Sequence, residues 1–369
     1  MIPNIRLVNI ALGCVTEVDR SPDYAALSDV WGTANRLLLC NETEMWLSTP
    51  GTLPADNERI PKTFRDAFTL AASLSIRCIW IDALCIVQDN PEQLLKHLDT
   101  MEAVYGSAVL TIVSDTPSVY TGIYGVSVPR GPPQASFIWA GTIFLGTRKT
   151  FGEALNSSCG ERRAWCLQEK IFSKRLLGLT EGQAFYHCAA ATWCEDTVME
   201  PKDRISGVIH MRERNSIMEK VRSFGLEANH TAYEAHRECF GSNFWSLVEI
   251  YSRRELSFEE DIIRAFVSVL RSVETEYGPA IWGIPAFEFV RGLTWSHSRH
   301  DLSLRRESFS SWSWVGWRGN TDVRLQFENC KRTEADLAIS YGRCRVSMEK
   351  LTVPSTLHID WWYCTRDQR

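Results

Sequence analysis

Three short apolar runs, each closed by an acidic residue and separated by helix-patterned stretches, constrain this chain more than any other feature. YAALS (24–28) stops at Asp29, RCIWI (77–81) stops at Asp82, and AVLTIV (108–113) stops at Ser114 and Asp115. The runs read as strands, and RCIWI is apolar and β-branched enough for a central strand buried on both faces. After the first run, 61–74 opens on Pro61 and sets Phe64, Ala67, Phe68, Ala71 and Leu74 on one helical face. After the second, Asn90 and Pro91 open a helix through Tyr105, with Gln93 completing a capping-box pattern and Gly106 closing it. Strands alternating with helices predict βαβ units, and so an α/β fold with a mostly parallel sheet flanked by helices. Ligands of such sheets sit beyond the carboxyl ends of the strands, which marks Asp82 as a candidate ligand-facing group.

Further along, 126–160 is rich in Pro, Gly and Ser at both ends and reads as an insertion with one strand-like run at 136–145. A short helix follows at RAWCLQE (163–169), then a hairpin of 175–179 and 183–188 joined through Thr180, Glu181 and Gly182. The polar stretch 199–242 reads as mostly helical, and a helix at 258–273 precedes a C-terminal α+β, β-rich extension with alternating runs near 323–330, 344–353 and 355–364. The expected organisation is one α/β domain over 1–198, a helical connector over 199–257, and a C-terminal region over 258–369 packed on the first domain.

Composition narrows the function. With 40 basic and 45 acidic residues interspersed, the net charge of −5 leaves no basic stripe for a phosphate backbone, which argues against nucleic acid as partner. The longest apolar run, 78–87, is interrupted by Asp82 and is too short to span a bilayer. The N-terminus shows no secretory pattern, so a cytoplasmic protein is expected. Twelve cysteines at irregular spacing, without a CxxC, suit reduced packing thiols and give no metal site. Neither a Walker motif nor GxGxxG is present, which removes ATP hydrolysis and Rossmann redox chemistry, and no prosthetic group is expected.

RAWCLQE places Glu169 one helical turn beyond Trp165 in an otherwise apolar, core-forming segment, with Trp165, Gln168, Glu169 and Phe172 expected on one face. A carboxylate there needs a partner or a ligand. YAALSDVWG (24–32), IPKTFRDA (60–67), IRCIWIDALCIVQDN (76–90), RAWCLQEKIFSKRLL (163–177) and FSSWSWVGW (309–317) occur in this order, with YSRREL at 251–256. Together they resemble the fungal HET-domain family, the heterokaryon incompatibility proteins, densely over 5–196. The resemblance implies nonself recognition and programmed cell death, and a core that looks like a TIR domain, a flavodoxin-like α/β sandwich. In TIR enzymes that cleave NAD the catalytic Glu lies in a WCxxE helix, and Trp165, Cys166, Leu167, Gln168 and Glu169 fit that pattern. YAALSDVWG likewise resembles the first TIR strand and its loop, so Ser28, Asp29, Trp31 and Gly32 are implied at the nucleotide site. Asp29 stands where the family commonly has an aromatic, and Ala164 where it commonly has Gly.

These readings leave alternatives open. Glu169 either stabilises an oxocarbenium-like transition state of NAD(P) as substrate, or pairs with Arg162, Arg163 or Lys170. Asp82 faces a ligand or caps its turn; Ser28 binds a phosphate or its own loop. Trp31 and Trp165 stack on a ring or pack in the core, and SWSWVGW is a strand with Trp312 and Trp314 on one face, an interdomain staple or an aromatic platform. The function is then an NAD(P) glycohydrolase that works when a protein partner or self-association clusters it, a non-enzymatic interaction module, or an enzyme acting on another small molecule in the same cleft.

Overall fold

The structure, a computed structural model, describes residues 4–32, 37–54, 56–98, 100–188, 192–195, 233–297, 304–323, 346–351 and 361–366. The chain divides into two compact units, Met1–Val323 and Arg324–Arg369. In the first, strands β1 (Ile5–Asn9), β2 (Cys14–Val18), β3 (Tyr24–Ser28), β4 (Cys78–Trp80) and β5 (Leu110–Ser114) are followed by a separate hairpin, β6 (Ser136–Trp139) and β7 (Thr142–Leu145), and then by β8 (Arg175–Leu179), β9 (Ala184–Cys188) and β10 (Thr192–Cys194). All but the β6–β7 hairpin join one eight-stranded sheet in the order β10-β9-β8-β5-β3-β4-β1-β2.

Only the centre of that sheet is parallel. β4, β3, β5 and β8 run together, whereas β1 lies antiparallel on β4 with β2 beyond it, and β9 and β10 extend the other side antiparallel. The expectation of a mostly parallel sheet is therefore corrected to a mixed one. Hairpins add strands without crossovers, and the N-terminal hairpin escaped a reading that began at Tyr24. β3 and β5 are buried at every position, which is why their sequences are apolar runs rather than alternations.

The helices are α1 (Glu44–Leu47), α2 (Lys62–Ser73), α3 (Asp82–Cys85), α4 (Pro91–Leu98), α5 (Met101–Ser107), α6 (Phe151–Asn156), α7 (Trp165–Phe172), α8 (Tyr233–Ser252), α9 (Val267–Tyr277) and α10 (Phe289–Gly292). On α2, Phe64, Ala67, Phe68 and Ala71 are buried in the sheet core, as its spacing predicts, whereas Leu74, expected on the same face, lies just past the helix end and is exposed. The single helix expected over 90–105 is two, α4 and α5. Asn90 caps the first by accepting from the Gln93 N–H at 3.1 Å, while the Gln93 side chain accepts from Arg6 instead of closing a capping box. Gly106 lies inside α5 rather than ending it.

The run at 136–145 is two strands. Ala140 and Gly141 both have positive φ, 48° and 78°, giving the left-handed pair a two-residue hairpin turn needs.

A second core surrounds α7, α8 and α9, with Leu167, Ile171, Phe244, Leu247, Tyr251, Phe266 and Trp314 buried in it. SWSWVGW is not the strand expected of it. Ser313 accepts from the Val315 N–H and starts a 3-10 turn, Trp314–Gly316, because Gly316 packs where a Cβ would meet the Ser310 carbonyl oxygen at 2.3 Å. Trp314 is buried, Trp312 exposed. The helix expected at 258–273 is preceded by two 3-10 turns, Glu259–Ile262 and Arg264–Phe266. Small two-residue ladders occupy 280–322. The described part of Arg324–Arg369 is a hairpin of Val346–Leu351 and Trp361–Arg366; the runs at 323–330, 344–353 and 355–364 otherwise lie largely outside the described residues, as does 199–232 of the polar stretch.

Trp314 donates from Nε1 to the Gly283 carbonyl at 2.9 Å and meets Tyr251 and Phe266 edge-on at 6.0 and 5.8 Å. Trp314→Ala is expected to cost about 3–5 kcal/mol of stability, read as a lower midpoint in urea unfolding of the whole chain.

Candidate functional site at the strand carboxyl ends

α7 reaches the strand ends because its N-terminal approach is clamped from two sides. The Glu255 N–H donates to the Arg162 carbonyl at 2.5 Å and the Ala164 N–H to the Glu255 carbonyl at 3.0 Å, so YSRREL lies strand-like along the start of RAWCLQE. Arg254 donates to the Arg163 carbonyl at 3.1 Å and pairs with Glu161, which also pairs with Lys170 at 3.2 Å. The Arg254 and Lys170 side chains are 2% and 6% exposed, so the Glu161 carboxylate compensates two buried cations.

At the other end, Ser173 donates to the Glu169 carbonyl at 2.5 Å. That uses its only hydroxyl hydrogen, so Thr111 on β5 is the donor of the 2.6 Å bond joining the two hydroxyls. Ala164 precedes α7 with φ −60° and ψ −43°, angles any L-residue adopts, so no glycine is needed there.

Held this way, Glu169 turns toward the ends of β3 and β4. It is 4% exposed, and its carboxylate makes neither a hydrogen bond nor an ion pair among the described residues. Lys170 is taken by Glu161, and Arg162 is exposed. Arg163 lies close enough to feel the charge of Glu169 but donates to the Asp29 carbonyl at 2.7 Å and sits 5.7 Å over the Trp31 ring. The Trp31 Nε1 donates to Asp82 Oδ1 at 3.0 Å, and the same oxygen accepts from the Ala83 N–H at 2.7 Å. Asp82 thus opens α3, a turn absent from the expected pattern, while remaining tied to the β3 loop.

Asp82 is half-buried, and its pKa is pushed up to about 6, first by burial and then by the negative charge of Glu169; Arg163 and the two N–H donors pull the other way. The Tyr105 hydroxyl is held above its usual range by burial and then by Glu169 and Asp82, and it donates to the Leu27 carbonyl at 3.1 Å. Burial, then Glu169, also pushes the Cys166 thiol up to about 12, too high for a thiolate nucleophile.

Of the residues marked in the sequence, Asp29, Trp31, Asp82 and Glu169 are brought together. Ser28 ends β3 beside Val113, is 3% exposed, and its hydroxyl makes no hydrogen bond to a described residue. Gly32 has φ +72°, and a Cβ there would meet Ser118 Oγ at 3.0 Å, so the loop needs glycine on both counts. Trp165 is half-buried and packs against the second core; the cation over Trp31 comes from Arg163 instead. Gln168, expected on the face of Glu169, donates to the Arg264 carbonyl at 3.0 Å.

Sequence reasoning named Arg163 as a pairing candidate for Glu169 but missed its contact with Asp29 and Trp31, and it missed Tyr105 as a neighbour of this group and Glu161 and Arg254 as its support. The available signal was positional, since Arg163 opens RAWCLQE and Arg254 lies within YSRREL. A separate cleft of about 570 Å³ lies at the ends of β5 and β8, lined by Asp115, Arg148, Lys149, Thr180, Glu181 and Gln183 among others, and none of the marked residues lines it.

Fold and site together define an α/β domain with a carboxylate pair at the carboxyl ends of its parallel strands. Residues 24–169 match the family described as Heterokaryon incompatibility protein (HET), and the chain carries a HET domain over that stretch. The match starts on the first residue of β3 and ends on Glu169. No curated protein and no solved structure matches the chain. Among the described residues the cysteines are free, no group of His, Cys, Asp and Glu could hold a metal ion, and no helix is long and apolar enough to cross a membrane.

Two outcomes test this geometry. Glu161→Ala leaves Arg254 and Lys170 uncompensated and is expected to cost about 3–5 kcal/mol in chemical denaturation. Asp82 binds its proton more tightly folded than unfolded, so its ionisation opposes folding fully above about pH 6 and ceases to do so below the ordinary value of 3.8. Asp82→Asn should therefore stabilise the chain at pH 7.5 by about 1–2 kcal/mol, allowing for its contact with water, and the gain should vanish by about pH 4 in parallel melts.

Proposed function

We propose that this HET domain has a TIR-like, flavodoxin-like core and cleaves the nicotinamide–ribose bond of NAD(P), with Glu169 as the catalytic carboxylate. The observation that carries the reading is the Glu169 carboxylate itself, nine-tenths buried and without a hydrogen bond or ion pair among the described residues, beside the strand ends. Burying an ionisable group unpartnered is costly, and active sites are where that cost is commonly met. The order of the parallel strands supports the fold: taken in chain order, β4, β3, β5 and β8 lie second, first, third and fourth, as in flavodoxin-like sheets.

In the proposed reaction the C1′–N1 bond breaks, its electron pair leaves with nicotinamide, and the ribosyl cation that forms is stabilised by Glu169. Water adds to C1′ and loses a proton, for which Asp82 is the acceptor, its pKa of about 6 being close to working pH. Ser28 and Gly32 offer a hydroxyl and a close backbone approach to the phosphates, and the Trp31 ring under Arg163 forms one wall.

Purified full-length protein at high concentration is expected to release nicotinamide from NAD or NADP, measured chromatographically. Glu169→Gln should reduce that rate by about 10²-fold or more with unchanged circular dichroism. Wild-type protein that stays inert even when artificially clustered sinks the enzymatic reading, and cell death that survives Glu169→Gln in a fungal host favours the interaction module.

A further inference from the structure

The hairpin inserted ahead of α7 carries a surface that the candidate site does not use. In β6 and β7, Phe137, Ile138, Trp139, Ile143, Phe144 and Leu145 are 63, 73, 70, 65, 39 and 62% exposed. Phe137 is paired with Phe144, and Ile138 with Ile143. Alternation along each strand then makes one face aromatic, with Phe137, Trp139 and Phe144, and the other aliphatic, with Ile138, Ile143 and Leu145. The Phe137 and Phe144 rings stack at 4.9 Å, which fixes the aromatic face in shape. From 135 to 146 there is no charged residue and no proline, the usual devices by which exposed strands avoid pairing. The apolar area these side chains expose is ~700 Å² over the two faces together, or ~350 Å² on each, and with both strand edges unpaired in a two-stranded sheet a partner can engage a face and an edge at once.

We propose that the β6–β7 hairpin is a self-association surface, on which the hairpin of a second copy of this chain packs. Lipid is the poorer occupant. A lone hairpin in hydrocarbon leaves the outer N–H and C=O groups of both strands unpaired, whereas a second hairpin supplies backbone partners as well as apolar surface. The cations beside the hairpin are also already engaged within the chain. Arg130 pairs with Glu195, Arg148 donates to the Gly182 carbonyl at 2.7 Å, and Lys149 donates to Ser157 Oγ at 2.9 Å, so these side chains are held within the chain. An identical surface on each copy gives a closed two-fold contact in which the same face and strand edge of each hairpin meet. A two-stranded hairpin is marginal in water, and two packed together are not.

This proposal does not rest on NAD(P) cleavage, and its readout is mass. Sedimentation velocity of the full chain between about 1 and 100 μM is expected to show a monomer converting to a dimer. The double variant Ile138→Glu, Ile143→Glu should raise the dissociation constant about tenfold or more, and so should Phe137→Ser with Phe144→Ser on the other face. Met45→Glu, at a residue 84% exposed on α1, should leave it unchanged. Because the hairpin side chains are exposed, all three variants should melt with the wild type, which separates lost association from lost folding. A wild-type monomer across the whole range, a double variant that dimerises like wild type, or a hairpin needed for vesicle binding but not for mass would each overturn the proposal.

Discussion

Glu161 is the group on which the arrangement around α7 depends. Its carboxylate meets Arg254 from the segment after α8 and Lys170 from α7, and both cations are almost wholly removed from water. Such a cluster adds little net stability, because desolvating the charges offsets most of their attraction. What it supplies is direction. The pairing is satisfied only when YSRREL lies along RAWCLQE, and that contact sets the rotation of the helix that carries Glu169. The hydroxyl relay from Thr111 through Ser173 to the Glu169 carbonyl holds the other end of the same helix to β5.

With α7 fixed at both ends, the side chains around Glu169 cannot rearrange to neutralise it. Lys170 faces Glu161, Arg163 is drawn to the Asp29 carbonyl and the Trp31 ring, and Asp82, which feels the charge of Glu169, is tied by Trp31 and Ala83. Two carboxylates therefore share one partly dry region, and Asp82 answers by holding its proton to about pH 6.

Much of the parallel centre of the sheet was legible from its composition. Strands buried on both faces have no polar side to hide, so YAALS reads directly as β3 and LTIVS within the third run as β5. Asp82 was legible for the same reason, since a charge at the end of such a run cannot continue into the core. The N-terminal hairpin and the β9–β10 extension make the sheet mixed, and nothing in local periodicity says whether a flanking hairpin joins a central sheet. Trp165 and Gln168 show the limit of helical spacing as a guide to a face. Trp165 lies four residues and Gln168 one residue from Glu169, yet they serve the second core and the Arg264 carbonyl, because α7 is packed on more than one side.

The sequence alone determined an α/β domain with acidic residues closing its apolar runs, and a stretch over 24–169 that matches the HET family, because apolar runs, chain breaks and the RAWCLQE motif are properties of neighbours along the chain. Only the tertiary structure decided that Glu169 makes no hydrogen bond or ion pair among the described residues, that Arg163, although near enough to feel its charge, donates to the Asp29 carbonyl and lies over Trp31, and that Glu161 is claimed by Arg254 from 93 residues away. A carboxylate's partner is chosen by whichever cation packing brings within reach, and that choice is made by segments far apart in sequence.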